Sequence, residues 1–229
     1  MAKVSAGSYD LNKWLYGGYE SDIITTLYGG AGTGKTNFCL LAAVSQASKG
    51  SRVMYIDTEG GFSSERVRQL AGSDTDKVLK NILVLKPTSF SEQKESFKEL
   101  LKQVTKDHLG LIVVDGMTML YRLDFGEARE KGRGEMQEIN SELARQMRTL
   151  AEIARKQGIP VLATNQVYQW DNHERMVGGD ILKYWSKCLI ELANDNGKRT
   201  AFLRKHRSLP EKKMDFIIVN EGIKKKGWL

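Results

Sequence analysis

The glycine-rich stretch at residues 29–36 constrains the fold of this chain more than any other part of it. It reads G-G-A-G-T-G-K-T and fits the pattern G-x-x-x-x-G-K-[ST] in full. Residues 22–28 before it are typical of a strand, and the apolar residues 36–48 after it indicate a helix. A strand, a glycine loop and a helix together let backbone N–H groups surround a phosphate. The alternative is a glycine-rich turn before a core helix, which requires the motif and both flanks to coincide by chance.

The motif predicts a site for a magnesium-bound nucleoside triphosphate. In this pattern Lys35 reaches the β- and γ-phosphates, and the hydroxyl of Thr36 binds Mg²⁺. The candidate nucleotide contacts are the loop residues and the one that follows them: Gly29, Gly30, Ala31, Gly32, Thr33, Gly34, Lys35, Thr36 and Asn37.

Two carboxylates follow predicted buried strands. Residues 52–56 indicate a strand that leads to Glu59, a candidate base for activating water at the γ-phosphate. Residues 111–114 are apolar and end in Asp115, a second nucleotide signature in which the carboxylate binds Mg²⁺. The alternatives are a solvated loop carboxylate at Glu59 and a turn-capping aspartate at Asp115.

Two segments combine basic side chains with a predicted loop. Residues 125–135 alternate acids, bases and glycines and are predicted to form a mobile loop. Residues 167–177 form a shorter predicted loop with aromatic and basic members, which suits base stacking and phosphate contact. The alternatives are a solvated loop and an ordered lid. The DNA-binding candidates in these segments are Arg129, Lys131, Arg133, Tyr168, Trp170 and Arg175.

The C-terminal part predicts antiparallel strands. Residues 194–197 read Asn-Asp-Asn-Gly and indicate a hairpin between strands at 187–192 and 198–205, with a last strand at 214–219. Two basic runs lie in this part of the chain. One begins at the end of the second hairpin strand and contains the further DNA-binding candidates Arg204, Lys205, His206 and Arg207. The other lies near residue 229 and contains Lys224, Lys225 and Lys226. A solvated face is the alternative for both runs.

Charge favours an anionic partner. The chain has 229 residues, a net charge of +7 and a pI near 9.3, which makes nucleic acid the first candidate and an acidic membrane surface the second. It has neither a signal-peptide pattern nor an apolar run long enough to span a membrane, so a cytoplasmic location is expected. Cys39 and Cys188 lie in apolar sequence and are expected to be buried, reduced thiols.

The order of these motifs resembles the RecA/RadA recombinase family, and most closely its short archaeal RadB branch. Besides the loop and the Asp115 strand, the resemblance includes Asp57-Thr58-Glu59, Ser64-Glu65-Arg66, Thr164-Asn165-Gln166-Val167, Gly178-Gly179 and Leu209-Pro210. It covers residues 4–223 and implies an α/β fold, a RecA-type P-loop core in which helices flank a mainly parallel, twisted sheet with a C-terminal antiparallel hairpin.

The resemblance also implies roles for individual residues. Glu59 is similar in place to the catalytic carboxylate, Arg66 to the arginine that stacks on adenine, and Gln166 to the residue that senses the γ-phosphate. The segments 125–135 and 167–177 resemble the first and second DNA-binding loops. Lys205 and Arg207 resemble basic residues that act on the nucleotide of a neighbouring subunit, and Pro210 resembles part of the cap that reaches it.

As a whole, the resemblance implies a protein of DNA recombination and repair that binds ATP, Mg²⁺ and single-stranded or branched DNA and hydrolyses ATP slowly. We expect a single core domain over residues 1–229, without the N-terminal helical domain and the F-x-x-A linker of full recombinases. A RadA-type recombinase or a Holliday-junction nuclease is an expected partner, self-association is possible, and no membrane is involved. The alternatives are a mediator that binds ATP without hydrolysing it and a RecA-fold ring ATPase.

Overall fold

A large central sheet carries the residues that the sequence singled out. The computed structural model describes residues 2–106, 108–170 and 173–227. Its strands are β1 (Lys3–Val4), β2 (Tyr19–Glu20), β3 (Ile24–Tyr28), β4 (Arg52–Asp57), β5 (Ile82–Leu85), β6 (Leu109–Asp115), β7 (Val161–Asn165), β8 (Val167–Trp170), β9 (His173–Met176), β10 (Cys188–Asp195), β11 (Lys198–His206), β12 (Lys212–Val219) and β13 (Gly222–Lys225). Its helices are α1 (Tyr9–Trp14), α2 (Lys35–Ser48), α3 (Ser64–Ala71), α4 (Thr75–Lys80), α5 (Phe90–Lys106), α6 (Met119–Lys131), α7 (Arg133–Gln157) and α8 (Gly179–Trp185).

The central sheet has the strand order β13-β12-β11-β10-β3-β7-β6-β4-β5. Neighbours from β10 to β5 run parallel, whereas β10, β11, β12 and β13 pair antiparallel at the other edge. Two small sheets, β1–β2 and β8–β9, lie outside it. This is the RecA-type α/β architecture, and the predicted fold class is confirmed.

The apolar strands are continuous runs because both faces of the sheet are covered. On β4, Val53 and Tyr55 face one core with α2, while Met54 and Ile56 face a second core with α5 and α7. On β6, Leu111 and Val113 face the first core, and Ile112 and Val114 face the second. The carboxyl ends of these strands therefore open at one edge, between the two layers of helices.

Local signals placed several elements correctly. Ser8 caps the N-terminus of α1, where its side chain accepts a hydrogen bond from the N–H of Leu11. The turn between β10 and β11 places Asn196 and Gly197 at φ 49° and 87°, the positive values that a two-residue hairpin turn requires. Cys39 and Cys188 are both buried and free, as predicted.

The predicted loop at residues 125–135 is wrong, because α6 and α7 occupy this segment and meet at Gly132. The ring of Phe125 stacks on that of Tyr121 at 5.5 Å, and Ala128 is buried, so an i, i+4 packed face continues through Gly126. Packing of this face outweighs the helix penalty of one glycine, roughly 1 kcal/mol.

Two further predictions need correction. Residues 167–177 are not an irregular loop but include the β8–β9 hairpin. The strand at 214–219 is not the last one, because β13 pairs with β12 at the sheet edge. None of the helices in the described ranges is long and apolar enough to cross a membrane.

Candidate nucleotide and DNA site

The glycine loop between β3 and α2 has the backbone geometry of a phosphate cradle. Gly29, Gly32 and Gly34 have φ values of 153°, 71° and 108°. A Cβ atom on Gly29 would lie 2.0 Å from the carbonyl oxygen of Leu192 in β10, so only glycine fits there. Gly34 is the N-cap of α2 and has no side chain to bond the free N–H groups of the first helical turn. Those groups are donors for an anion.

Lys35 is the first residue of α2 and is buried in the cradle. Its Nζ donates hydrogen bonds to the carbonyl oxygens of Gly29 at 2.9 Å and Gly30 at 2.8 Å. Burial lowers the pKa of Lys35, whereas the carboxylates of Glu59 and Asp115 oppose the shift. The ammonium group is thus held over the loop, where the motif places it.

Two buried aspartates end neighbouring strands. Asp57 of β4 and Asp115 of β6 are register partners. Asp57 accepts hydrogen bonds from the N–H groups of Gly61 and Phe62 at 3.0 and 2.9 Å. Asp115 accepts from the hydroxyl of Tyr55 at 2.8 Å and from Thr164 Oγ1 at 2.7 Å. These donors fix the direction in which each carboxylate points.

The oxygens of Thr36 and Asp115 border one small space. A Cβ atom on Gly61 would lie 3.4 Å from the Thr36 hydroxyl and 3.8 Å from Asp115 Oδ2, and glycine leaves that space open. No group of three or more His, Cys, Asp or Glu side chains in the described ranges is arranged to hold a metal by itself. Hydroxyl and carboxylate oxygens suit Mg²⁺, which usually takes few protein ligands together with substrate phosphates. The residues therefore fit the predicted ion.

Glu59 and Gln166 meet across the mouth of the cradle. Gln166 Nε2 donates to both carboxylate oxygens of Glu59 at 3.3 Å. Burial raises the pKa of Glu59, repulsion from Asp115 adds to the rise, and the Gln166 hydrogen bond opposes it. With Lys35 and Thr36, they line a cavity of about 280 Å³. A raised pKa and a place beside the loop are what a water-activating carboxylate needs.

Gly116 allows Glu59 to reach the cavity. It lies directly after β6 with φ 91°, and a Cβ atom there would lie 2.3 Å from Thr58 Oγ1 and 2.7 Å from Glu59 Cγ. A larger residue would displace Glu59 from the cavity.

Arg66 lies beside the cradle, but its guanidinium group already has partners. Nε donates to Asn37 Oδ1 at 2.9 Å, and the terminal nitrogens donate to the carbonyl oxygens of Val219 and Asn220 at 2.8 and 3.0 Å. These in-plane bonds fix the plane of the group while its faces take no part in them. Adenine stacking by Arg66 stays a prediction that this geometry permits.

The DNA-binding candidates of the first segment are side chains on helices. Arg129 and Lys131 lie in the last turn of α6, Arg133 begins α7, and all three are exposed. Lys131 pairs with Glu135 at 3.9 Å, with both side chains more than half exposed. An exposed pair of this kind is weak, so its lysine remains free to exchange partners.

In the β8–β9 hairpin, Tyr168 and Arg175 are direct cross-strand partners and both are exposed. They present an aromatic ring and a cation side by side, the pairing that single-stranded nucleic acid uses. Trp170 ends β8, but its side chain lies outside the described part of the molecule.

The basic run at the end of β11 is engaged within the chain. Arg204 pairs with Glu191 at 2.6 Å, and Arg207 pairs with Glu20 at 2.6 Å. Lys205 Nζ donates to the carbonyl oxygens of Lys183 and Ser186 at the end of α8. Burial lowers the pKa of His206, so it is neutral at neutral pH. Pro210 is exposed beyond this run. The DNA-binding and trans-acting roles of these residues stay predictions.

Sequence reasoning assigned no role to several residues of the site, although Asp57 and Thr164 belong to the motifs that carry the resemblance. Tyr55 and Thr164 orient Asp115, and Asp57 holds the turn that contains Gly61. The role of Asp57 could have been inferred from its place as a polar residue at a strand end. Arg199 of β11 also lines the cavity, yet nothing local in the sequence marks it.

Comparison with known proteins gives consistent matches. The family model described as Rad51 matches residues 1–226. A protein named "DNA repair and recombination protein RadB" from Methanobrevibacter smithii is 41% identical over 223 residues, covering 93% of this chain and 92% of the relative. A protein of the same name from Methanocaldococcus jannaschii is 38% identical over 213 residues, covering 93% and 98%.

Proposed function

The chain belongs to the Rad51 family of RecA-fold ATPases, and from this premise we propose that it is a RadB-like protein of homologous recombination and DNA repair that binds ATP with Mg²⁺ and binds DNA. The observation that carries the proposal is the cradle itself, in which Lys35, Thr36 and Glu59 line one cavity at the N-terminus of α2. Asp115 lies beside Thr36, across the space that Gly61 leaves open. The names of the relatives support the biological role.

In the proposed nucleotide site, each side chain has one task. Lys35 and the loop N–H groups bind the β- and γ-phosphates, where fixed donors stabilise charge as it develops. Thr36 and Asp115 hold Mg²⁺, which supplies charge neutralisation on the phosphate oxygens when bound. Glu59 orients and deprotonates the attacking water.

Gln166 is the proposed link between nucleotide and DNA. It stands between β7 and β8, so the residue that contacts Glu59 also begins the hairpin. The N–H of Val177 donates to the carbonyl oxygen of Gln166 at 3.2 Å, and Asn165 Nδ2 donates to the carbonyl oxygen of Val177 at 2.8 Å. These bonds close the base of the hairpin on Gln166. A nucleotide that displaces the Glu59–Gln166 contact therefore shifts the surface that carries Tyr168 and Arg175.

We also propose DNA and protein partners for this chain. Single-stranded or branched DNA meets Arg129, Lys131 and Arg133 at the junction of α6 and α7, and Tyr168 and Arg175 of the β8–β9 hairpin, all of which are exposed. A RadA-type recombinase or a Holliday-junction nuclease is the proposed protein partner, and self-association brings Pro210 to a neighbour's nucleotide. The proposed ATP hydrolysis by a single chain is slow.

ATP turnover with and without single-stranded DNA tests the proposal. Wild-type protein is expected to hydrolyse ATP, and faster with DNA. The Lys35→Ala variant is expected to lose both ATP binding and turnover, while Glu59→Gln keeps binding and loses turnover by at least about 100-fold. The control is Glu130→Gln, which removes an exposed carboxylate of α6. Unchanged turnover in Lys35→Ala would contradict the proposal.

A second candidate function is a mediator that uses ATP only as a conformational ligand. The observation in its favour is that Lys205 donates to the carbonyl oxygens of Lys183 and Ser186, and Arg207 pairs with Glu20, all within the same chain. Cations held in this way are not offered to a neighbouring phosphate. Tight Mg·ATP binding without detectable turnover, with or without DNA, would favour the mediator over the ATPase.

A further inference from the structure

Arg199 is a basic side chain of the cavity that the phosphate-loop motif does not include. It is the second residue of β11, where it pairs with Asn194 of β10 and Phe216 of β12. Side chains alternate along a strand, so Arg199 shares the α2 face of the sheet with the buried Ala201 and Leu203. It lines the same cavity as Lys35, beside Gly34 and Ile218.

The guanidinium group of Arg199 has an unsatisfied donor. Its Nε is buried and has no hydrogen-bond partner within the described part of the chain. A buried N–H of a cation without an acceptor is costly, more so than a neutral one. By contrast, every terminal group of the nearby Arg66 has an acceptor. Within the described ranges, the burial of this Nε–H therefore has no structural explanation.

We propose that Arg199 is a phosphate ligand of the nucleotide site, supplied by the β10–β11 hairpin of the same chain. The inference rests on the proposed binding of Mg·ATP. The planar fork of arginine matches phosphate oxygens with two parallel donors, which a lysine cannot do. A bound phosphate gives Nε the acceptor that it lacks.

This assignment connects the antiparallel edge of the sheet with the nucleotide. The loop contacts come from β3 and α2, whereas Arg199 comes from a hairpin about 160 residues later in the chain. The main chain of β10 also touches the loop, because the carbonyl oxygen of Leu192 bounds the site of Gly29. The hairpin thus forms a second wall of the site, and a nucleotide fixes β11 relative to α2.

Calorimetric titration with Mg·ATPγS, Mg·ADP and adenosine tests the assignment. Arg199→Met keeps the aliphatic stem and is expected to lower the affinity for Mg·ATPγS by at least about tenfold, the loss of a charged hydrogen bond. The affinity of Arg199→Met for adenosine is expected to equal that of the wild type. The affinity of Arg199→Lys for Mg·ATPγS is expected to lie between those of the wild type and Arg199→Met. The matched control is Lys198→Met, which removes one charge from the adjacent, exposed residue. Its effect is expected to stay within about twofold.

Thermal unfolding separates a ligand role from a structural one. Because its Nε lacks a partner, Arg199→Met is expected to leave the Tm of the nucleotide-free protein unchanged or raise it, while reducing the rise in Tm that Mg·ATPγS produces. A lower nucleotide-free Tm with a full nucleotide response would overturn the inference, as would equal affinities for Arg199→Met and Lys198→Met. Absence of Mg·ATPγS binding in wild-type protein would instead refute the proposed function.

Discussion

Charged side chains of the cavity lie where burial and repulsion destabilise the nucleotide-free protein. Glu59 lies close enough to Asp115 for the two negative charges to repel, and burial removes water that would solvate them. Lys35 is likewise buried with a lowered pKa. Groups of this kind are costly in a free protein and useful only when a ligand or a reaction needs them.

This balance predicts opposite effects of one substitution on stability and activity. The pKa of Glu59 is higher in the folded than in the unfolded protein, so folding binds its proton more tightly, and stability falls as the pH rises through that pKa. At neutral pH, Glu59→Gln removes the repelled charge and is expected to raise the Tm while abolishing turnover. Thermal unfolding at pH 7 measures this, with Glu130→Gln as control. A lower Tm for Glu59→Gln would contradict the electrostatic account.

The same pKa predicts how wild-type activity depends on pH. A base must be deprotonated to act, so turnover is expected to fall as the pH is lowered through a pKa above that of an ordinary glutamate. The pH profile of kcat/KM for ATP measures it, because this ratio reports the ionisation of the nucleotide-free protein. An inflection at or below the ordinary glutamate value would contradict the account of Glu59 as a base with a raised pKa.

The cradle was predictable from sequence because each of its parts carries a local signal. Residues 29–36 form one contiguous motif, Asp115 ends an apolar strand, and Glu59 follows β4. Tyr55 and Arg199 carry none, and the motif that contains Thr164 does not show its contact with Asp115, since all three reach the site through strands that are distant in sequence. Local patterns identify the ligand-binding motif, whereas the supporting contacts depend on the assembled sheet.

At the level of elements, the junction between α6 and α7 depends on Gly132. Gly132 ends α6, with its N–H donating to the carbonyl oxygen of Ala128 at 3.0 Å, and has φ 126° and ψ −179°. Residues other than glycine rarely adopt this backbone conformation. Gly126, in contrast, lies inside α6 without a positive φ.

A pair of alanine substitutions tests these two helices. No atom lies within 4 Å of a Cβ at either glycine, so only backbone conformation decides the outcome. Gly126→Ala is expected to stabilise the protein by about 0.5–1 kcal/mol, and Gly132→Ala to destabilise it by about 1–2 kcal/mol. Urea unfolding measures both. Equal, near-zero changes would indicate the irregular loop that the sequence pattern predicts.

The wrong prediction for this segment has a physical cause. Glycines and alternating charges weaken the helical signal of residues 125–135, but Tyr121, Phe125 and Ala128 provide a packed stripe that begins upstream of them. The β8–β9 hairpin was missed because its strands are short and pair with each other outside the central sheet. Among the described residues of both segments the charged side chains are exposed, but the backbone is regular where the sequence predicted a loop.

At the level of the whole molecule, a basic protein of net charge +7 is proposed to act on a polyanion. The exposed candidates lie on α6, α7 and the β8–β9 hairpin, whereas the run from Arg204 to Arg207 is engaged internally. DNA contact is therefore expected to depend on the first group more than on the second.

Salt dependence measures the number of these contacts. The affinity for single-stranded DNA is expected to fall by about 2.6-fold for each phosphate contact between 50 and 200 mM KCl. Arg175→Ala is expected to weaken binding and to reduce the slope against log salt by about 0.7. Fluorescence anisotropy provides the measurement, with the exposed Arg148→Ala of α7 as control. A flat salt response in wild-type protein would contradict DNA binding through phosphates.

The central claim is that the cradle at the start of α2 holds a magnesium-bound triphosphate, and calorimetric titration of Mg·ATPγS tests it most directly. Wild-type protein is expected to bind one nucleotide per chain. The Lys35→Ala variant is expected to lose at least about 100-fold in affinity, while Lys49→Ala, at the opposite end of the same helix, binds as the wild type does. Equal affinities of the three folded proteins would contradict the claim.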